Sequence, residues 1–203
     1  MAEPGWLTPA LAAIDAANAG DPTLIEVDGI LRPKELVHAE RMTAWLERLE
    51  AAPTPEQRLA ARAHHLERWK SPRRDYPEGR AGYLRWRSAA KERHARDVSD
   101  LLGRCGVPAA VIERTATIIS KRELRTDAAS QMHEDCLCLT FFELQGLDTA
   151  AQLGDKATAV VYKTLDKMTD RGRGALASAT LHPQVREVIA AQLAVLDAAG
   201  GAR

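Results

Sequence analysis

The chain has 203 residues, with 28 basic and 28 acidic side chains, so its formal net charge is zero. Taken whole, that balance excludes a strongly basic nucleic-acid binder and an acidic-tail protein, and the length fits one domain, residues 1–203, able to bury a core without disulfide staples. Three cysteines (Cys105, Cys136 and Cys138) are too few and too oddly placed for a disulfide framework, which points to a reducing compartment.

The opening Met1-Ala-Glu-Pro-Gly-Trp6 has neither the basic nor the apolar segment of a leader. No run approaches the ~18 apolar residues of a membrane helix. The expectation is a cytoplasmic chain with no membrane partner. Thr8-Pro9 then reads as an N-cap followed by proline at the first helical position, starting a helix that stops near Asn18, before Gly20. Residues 21–31 read as a loop, with a short strand over Leu24-Ile25-Glu26-Val27 as the alternative. Pro33 opens a second helix, about 33–52. Thr54-Pro55-Glu56-Gln57 carries a capping signature for a third, running to about Trp69. Pro72 and Pro77 keep residues 70–78 from being helical throughout.

A long helix follows over about 79–103, ending at Gly106-Val107-Pro108. Further helices are expected over about 108–122, 128–145 (capped by Asp127 and closed by Gly146), 149–170 and 183–199. The last two are separated by an Arg171-Gly172-Arg173-Gly174 turn. The tail 199–203 reads as frayed, leaving a core of about 8–198. No alternating apolar/polar run is long enough for a sheet. The expected architecture is all-α: a single-domain bundle of about seven or eight helices.

Four positions in the helical stretches carry histidine where apolar residues dominate: His38, the doublet His64-His65, and His94. Asp135 heads an otherwise apolar helix. A buried unpaired carboxylate costs several kcal/mol, so Asp135 needs a cation, a donor set or a metal. Neutral imidazoles are common metal ligands, and two of them with one or two carboxylates suit a divalent transition metal. The order of these residues resembles the HD-domain superfamily of metal-dependent phosphohydrolases. Val37-His38-Ala-Glu-Arg-Met42 is similar to its first His element, Leu59-Ala-Ala-Arg-Ala-His64-His65-Leu66 to its doublet helix, and Asp135 to its final ligand. The resemblance implies an HD-like core. The doublet here is His-His, so the bridging carboxylate of that family is absent, and His65 can serve one metal but not bridge two.

A closer resemblance is carried by His65-Leu-Glu-Arg-Trp-Lys-Ser-Pro-Arg-Arg-Asp-Tyr-Pro-Glu-Gly-Arg-Ala-Gly-Tyr-Leu-Arg-Trp-Arg87, with Arg32-Pro-Lys-Glu-Leu36, His94 and Glu134-Asp135. These resemble domain-of-unknown-function family 4202, over about residues 9–195. That family brings no activity with it. Its pattern has Gln-His where this chain has His64-His65, which implies that His65 is the functional member of the doublet. The metal candidates are therefore His38, His64, His65, His94 and Asp135, with His65, His94 and Asp135 leading. Glu134 and Asp135 are the candidate catalytic carboxylates, Glu134 as a base.

The zero net charge hides a cancellation. Residues 69–96 hold nine basic and three acidic side chains, a local excess of +6, together with four of the nine aromatics. On the long helix Tyr83, Arg87, Ala90, His94, Asp97 and Leu101 share a face. Arg87 then lies two turns, ~10 Å, from His94. Arg73, Arg74, Tyr83, Arg87 and Lys91 are the candidate substrate-binding residues, with guanidinium groups suited to phosphate oxygens.

Two other signals are set aside. Cys136 and Cys138, two apart on a helix, point ~200° apart and read as small core residues. The Lys121-Arg122 pair with Arg125 ends a helix, where cations are favourable in any case. The leading expectation is a metal-dependent, hydrolase-like enzyme acting on a phosphorylated or anionic, nucleotide-like small molecule. The alternatives are a non-catalytic RNA- or nucleotide-binding protein using the 69–96 face, and a metal-free helical protein acting by partner contacts.

Overall fold

A computed structural model describes residues 3–146 and 157–200, with the side chains of Lys91, Ala199 and Gly200 outside the description. The described residues are mainly helical, with nine α-helices and a single two-stranded sheet. They fall into two compact units, Met1–His133 and Glu134–Arg203. Among the described residues, no helix is long and apolar enough to cross a membrane.

In the first unit, helix α1 (Leu7–Asn18) leads into the antiparallel strands β1 (Leu24–Val27) and β2 (Ile30–Pro33). The segment expected as a loop is thus a hairpin, and its second strand takes Leu31, Arg32 and Pro33. The cause lies in the turn: Asp28 and Gly29 both have positive φ, 52° and 78°, as a two-residue type I′ turn requires. The base of the ribbon is tied to the next helix, α2 (Lys34–Leu49). The Lys34 N–H donates to the Thr23 carbonyl, and Asp21 accepts from the Glu35 N–H at 3.0 Å and the Thr23 N–H at 2.9 Å. Arg32 grips Glu40 through two hydrogen bonds of 2.9 and 2.7 Å.

Helix α3 (Pro55–Ala63) starts on the expected capping box: the Gln57 N–H donates to Thr54 Oγ1, and the Thr54 N–H to Gln57 Oε1. It stops six residues short of the expected Trp69. Glu67 adopts the left-handed conformation, φ 47° and ψ 40°, which interrupts any helix. Its backbone is satisfied from elsewhere in the fold: Asn18 Oδ1 accepts from its N–H at 3.0 Å, and Arg93 donates to its carbonyl at 2.9 Å. These contacts override the local helical pattern, and His64 and His65 consequently lie just past the helix end.

Two short 3₁₀ turns follow (Arg68–Lys70 and Arg73–Asp75), then α4 (Gly79–Arg104), α5 (Ala109–Ser120) and α6 (Ala128–Leu144), all within a few residues of expectation. Core side chains come from the facing stripes of four helices: Leu7, Ala10 and Ile14 of α1; Leu59, Ala60 and Ala63 of α3; Val98, Leu101 and Leu102 of α4; Ile118 and Ile119 of α5. Helix α2 adds Val37, Met42, Trp45 and Leu46 to the buried set. Burying a large aliphatic side chain contributes ~2 kcal/mol, so these stripes dominate the stability of the unit.

In the second unit α7 (Ala157–Leu165), α8 (Asp170–Ala175) and α9 (Pro183–Gly200) follow the end of α6. The single helix expected over 149–170 is interrupted, because α7 and α8 are separate helices. Residues 149–156 lie outside the described residues, and α7 ends at Leu165. The Arg171-Gly172-Arg173-Gly174 segment, expected as a turn, is helical. Thr169 causes this by capping α8, its Oγ1 accepting from the Gly172 N–H at 3.0 Å. Cys136 and Cys138 are buried core residues, as expected, and burial pushes the Cys136 thiol far above its usual range.

Candidate metal centre

Helix α2 places Glu35 and His38 three residues apart, so both project from one face. The bend after α3 brings the His64-His65 doublet to that face. His65 stacks on His38 with ring centroids 4.0 Å apart, and His64 lies 4.7 Å from His65. His94 of α4 lies 6.1 Å from His65, and His133, at the end of the first unit, lies 4.7 Å from His64. Five of the six histidines of the chain thus form one cluster inside the first unit. His38, His64, His94 and His133 are buried, and His65 is nearly so.

Burial keeps these rings neutral. It pushes His38, His94 and His133 down to about 3, and it holds His64 and His65 well below the usual imidazole range. The same desolvation acts in the opposite sense on Glu35, raising it to about 7 against the opposing pull of Arg68 and Lys34.

The hydrogen bonds separate the rings into two kinds. His133 Nε2 and His64 Nδ1 are 2.8 Å apart, so one ring donates to the other. His65 is held at both nitrogens: Nδ1 lies 3.1 Å from Glu35 Oε2, and Nε2 lies 3.2 Å from Nη1 of Arg68. Arginine can only donate, so Nε2 is the acceptor and the proton sits on Nδ1, directed at Glu35. His38 differs. It is 2% exposed, and neither of its nitrogens has a hydrogen-bond partner among the described residues. His94 Nε2 is likewise without one. A buried polar atom left unpaired costs ~1–3 kcal/mol.

One ligand atom each from Glu35, His38 and His65 lies within 4.8 Å of the other two. Two imidazoles and a carboxylate grouped in this way are a donor set for zinc, iron or another divalent ion, with coordination positions left open. The unpaired His38 fits that use, because a metal would take the lone pair of one ring nitrogen, which no described residue engages.

An open pocket of about 170 Å³ adjoins this triad. Glu35 belongs to both, and Lys34, Arg68, Arg73, Trp69 and Trp86 are among the other lining residues. The Arg68 guanidinium lies 5.0 Å over the Trp86 ring. Trp86 in turn donates from Nε1 to the Ser71 carbonyl at 2.9 Å. Arg73 orders its own loop by donating to the carbonyls of Tyr76 and Pro77 at 2.8 Å each. That loop rests on α4 at Gly82, where a Cβ would meet the Pro77 carbonyl oxygen at 1.8 Å.

The remaining residues singled out from the sequence have other surroundings. Arg74 is exposed. Tyr83 and Arg87 are exposed on the first turns of α4, with the Arg87 guanidinium 5.7 Å over the Tyr83 ring. The shared α4 face becomes buried further along, at Ala90, His94 and Leu101. The Lys91 side chain lies outside the description. Glu134 and Asp135 belong to the second unit. There Glu134 is 3.9 Å from Lys167, and Asp135 accepts from the Thr169 N–H at 2.9 Å and the Thr169 hydroxyl at 2.5 Å. The cluster also holds Glu35, His133 and Arg68, which are not among the residues expected from the sequence to form a site. Glu35 had a signal, the Glu-x-x-His spacing of one helix face. Arg68 had none, because its direction depends on the break at Glu67.

Fold and cluster together define a mainly helical protein with a buried histidine cluster and a carboxylate–imidazole triad at its edge. The chain belongs to the family described as Domain of unknown function (DUF4202), whose model matches residues 8–189. No curated protein matches it, and no solved structure does.

Proposed function

We propose that the chain is a metal-dependent, hydrolase-like enzyme that acts on a phosphorylated or otherwise anionic small molecule. Glu35, His38 and His65 hold a divalent transition metal. The observation that carries this reading is His38, a buried imidazole with both nitrogens unpartnered among the described residues, within ligand distance of Glu35 and His65. The adjoining pocket supports the substrate class, since Lys34, Arg68 and Arg73 line it. The likeness of His38 and the His64-His65 doublet to the HD phosphohydrolase pattern supports the reaction class. The absence of an aspartate after His64 supports one ion rather than two.

A divalent ion held by two imidazoles and a carboxylate supplies Lewis acidity and an acidified water near neutral pH. The protein's own part is to keep the imidazoles neutral and ready to bind, and to offset substrate charge with Lys34, Arg68 and Arg73. The Trp69 and Trp86 rings give the pocket apolar walls.

Metal analysis after reconstitution with zinc, manganese, iron or cobalt tests the proposal. The expected content is about one equivalent per chain, falling sharply in His38→Ala and Glu35→Gln. Less than a tenth of an equivalent in the wild-type protein overturns the reading. Full retention in both variants overturns the ligand set. A second reading, binding of RNA or a nucleotide without catalysis, draws on the exposed Arg87–Tyr83 stack. It predicts an affinity for RNA that falls steeply with salt and is indifferent to His38→Ala.

A further inference from the structure

Arg68 stands between the triad and the pocket, and its hydrogen bond to His65 is incompatible with a metal on that ring. Consider the two ways His65 can ligate. If Nε2 binds the metal, the ion takes the lone pair that now accepts from Arg68 Nη1 at 3.2 Å. If Nδ1 binds it, the metal replaces the proton now shared with Glu35, and a neutral ring must then carry its proton on Nε2. That proton faces the N–H of Arg68, and two donors repel. On either route Arg68 must give up His65.

The released guanidinium already lines the pocket, where Lys34 and Arg73 lie. A tetrahedral oxyanion there offers Arg68 paired, charge-assisted hydrogen bonds, which are stronger than one bond to a neutral imidazole. An anion in the pocket would therefore draw Arg68 off His65 and open the ring to metal.

We infer that the pocket is an oxyanion site of the phosphate or sulfate type, coupled to the metal centre through Arg68, so that metal and anion each tighten the binding of the other. The inference rests on the metal centre proposed above. Such coupling is reciprocal by thermodynamic necessity.

The test uses the full chain, Co²⁺ followed by visible absorption and calorimetry, and sulfate as the oxyanion, with ionic strength held constant by chloride. Saturating sulfate is expected to tighten Co²⁺ binding by about fivefold or more, and Co²⁺ to tighten sulfate binding by the same factor. Arg68→Met keeps an unbranched apolar side chain and removes the guanidinium donor. It is expected to bind Co²⁺ more tightly than wild type while losing the response to sulfate. The wild-type reciprocity stands as a measurement of its own should the variant fold poorly. Co²⁺ bound by the wild type and lost in His38→Ala, yet indifferent to sulfate, overturns the coupling and leaves the metal centre standing. A folded Arg68→Met protein that binds Co²⁺ no better than wild type also overturns it. No Co²⁺ binding by the wild type overturns both.

Discussion

The two units bury ionisable groups in opposite ways. In the second, Asp135 is 1% exposed, yet Thr169 answers its carboxylate with a backbone N–H and a hydroxyl. Gly172 makes room for it: a Cβ there would meet Asp135 Cγ at 2.5 Å. In the first unit, five imidazoles are gathered at one place, and His38 is left with nothing to bond to among the described residues. Burial alone therefore does not mark a site. The buried carboxylate meets a donor at each oxygen, whereas the buried imidazole meets none at either nitrogen among the described residues.

That contrast can be broken experimentally, and the largest effect belongs to pH. An unfolded chain protonates its imidazoles below about 6.5, whereas folded His38, His94 and His133 resist until about 3. Their contribution to stability is present above pH 6.5 and is lost as pH falls toward 3. Glu35 acts oppositely. It keeps its proton up to about 7 when folded and gives it up near 4.5 when unfolded, so it favours the fold at low pH and ceases to as pH rises through 7. Five imidazoles outweigh one carboxyl, and each net proton contributes ~1.4 kcal/mol per pH unit. The urea midpoint of the metal-free protein should drop steeply between pH 6.5 and 4.5. A flat profile would mean that the rings are solvated.

The next effect lies in the second unit. Gly172→Ala should cost ~3 kcal/mol, because the new methyl group overlaps a carboxylate that two Thr169 donors hold in place. Thermal denaturation measures it, and a variant as stable as wild type would show that Asp135 is not clamped. Thr169→Val, which keeps shape but removes the hydroxyl that both caps α8 and bonds Asp135, should cost ~2 kcal/mol. The smallest effect has the opposite sign. His38→Leu should raise the stability of the metal-free protein by ~1 kcal/mol, by replacing an unsatisfied polar ring with an apolar side chain. The same variant should lose its metal. A fall in metal-free stability would mean that His38 has a structural partner.

Much of this fold was legible in the residues. Thr54-Pro55-Glu56-Gln57 announces α3 because a capping box is local chemistry. The long α4 and the stop at Gly106-Val107-Pro108 follow from propensity and proline geometry. The hairpin was also legible, in Asp28-Gly29, but its strands are only four residues each with none fully buried, too short for alternation to register. What sequence could not supply was the break at Glu67, which depends on Asn18 and Arg93, distant in the chain. Four of the cluster's histidines stand out as polar residues among apolar ones. Their grouping with Glu35 and His133, and the position of Arg68, depend on that break and on helix packing.

The Asp28-Gly29 turn carries one more consequence. A two-residue turn allows a single pairing of the strands, with Leu24 opposite Pro33. The same pairing sets Asp21 and Thr23 against Lys34 and Glu35, where α2 begins. The ribbon therefore works as an index for the helix: it fixes the rotational phase at which Glu35 and His38 enter the cluster. An inserted residue at the turn would leave every ligand in the chain and still misalign them, because a slip of one position moves side chains to the opposite face. In this molecule the tolerance of the candidate centre to change is set partly by a surface loop that contributes no atom to it.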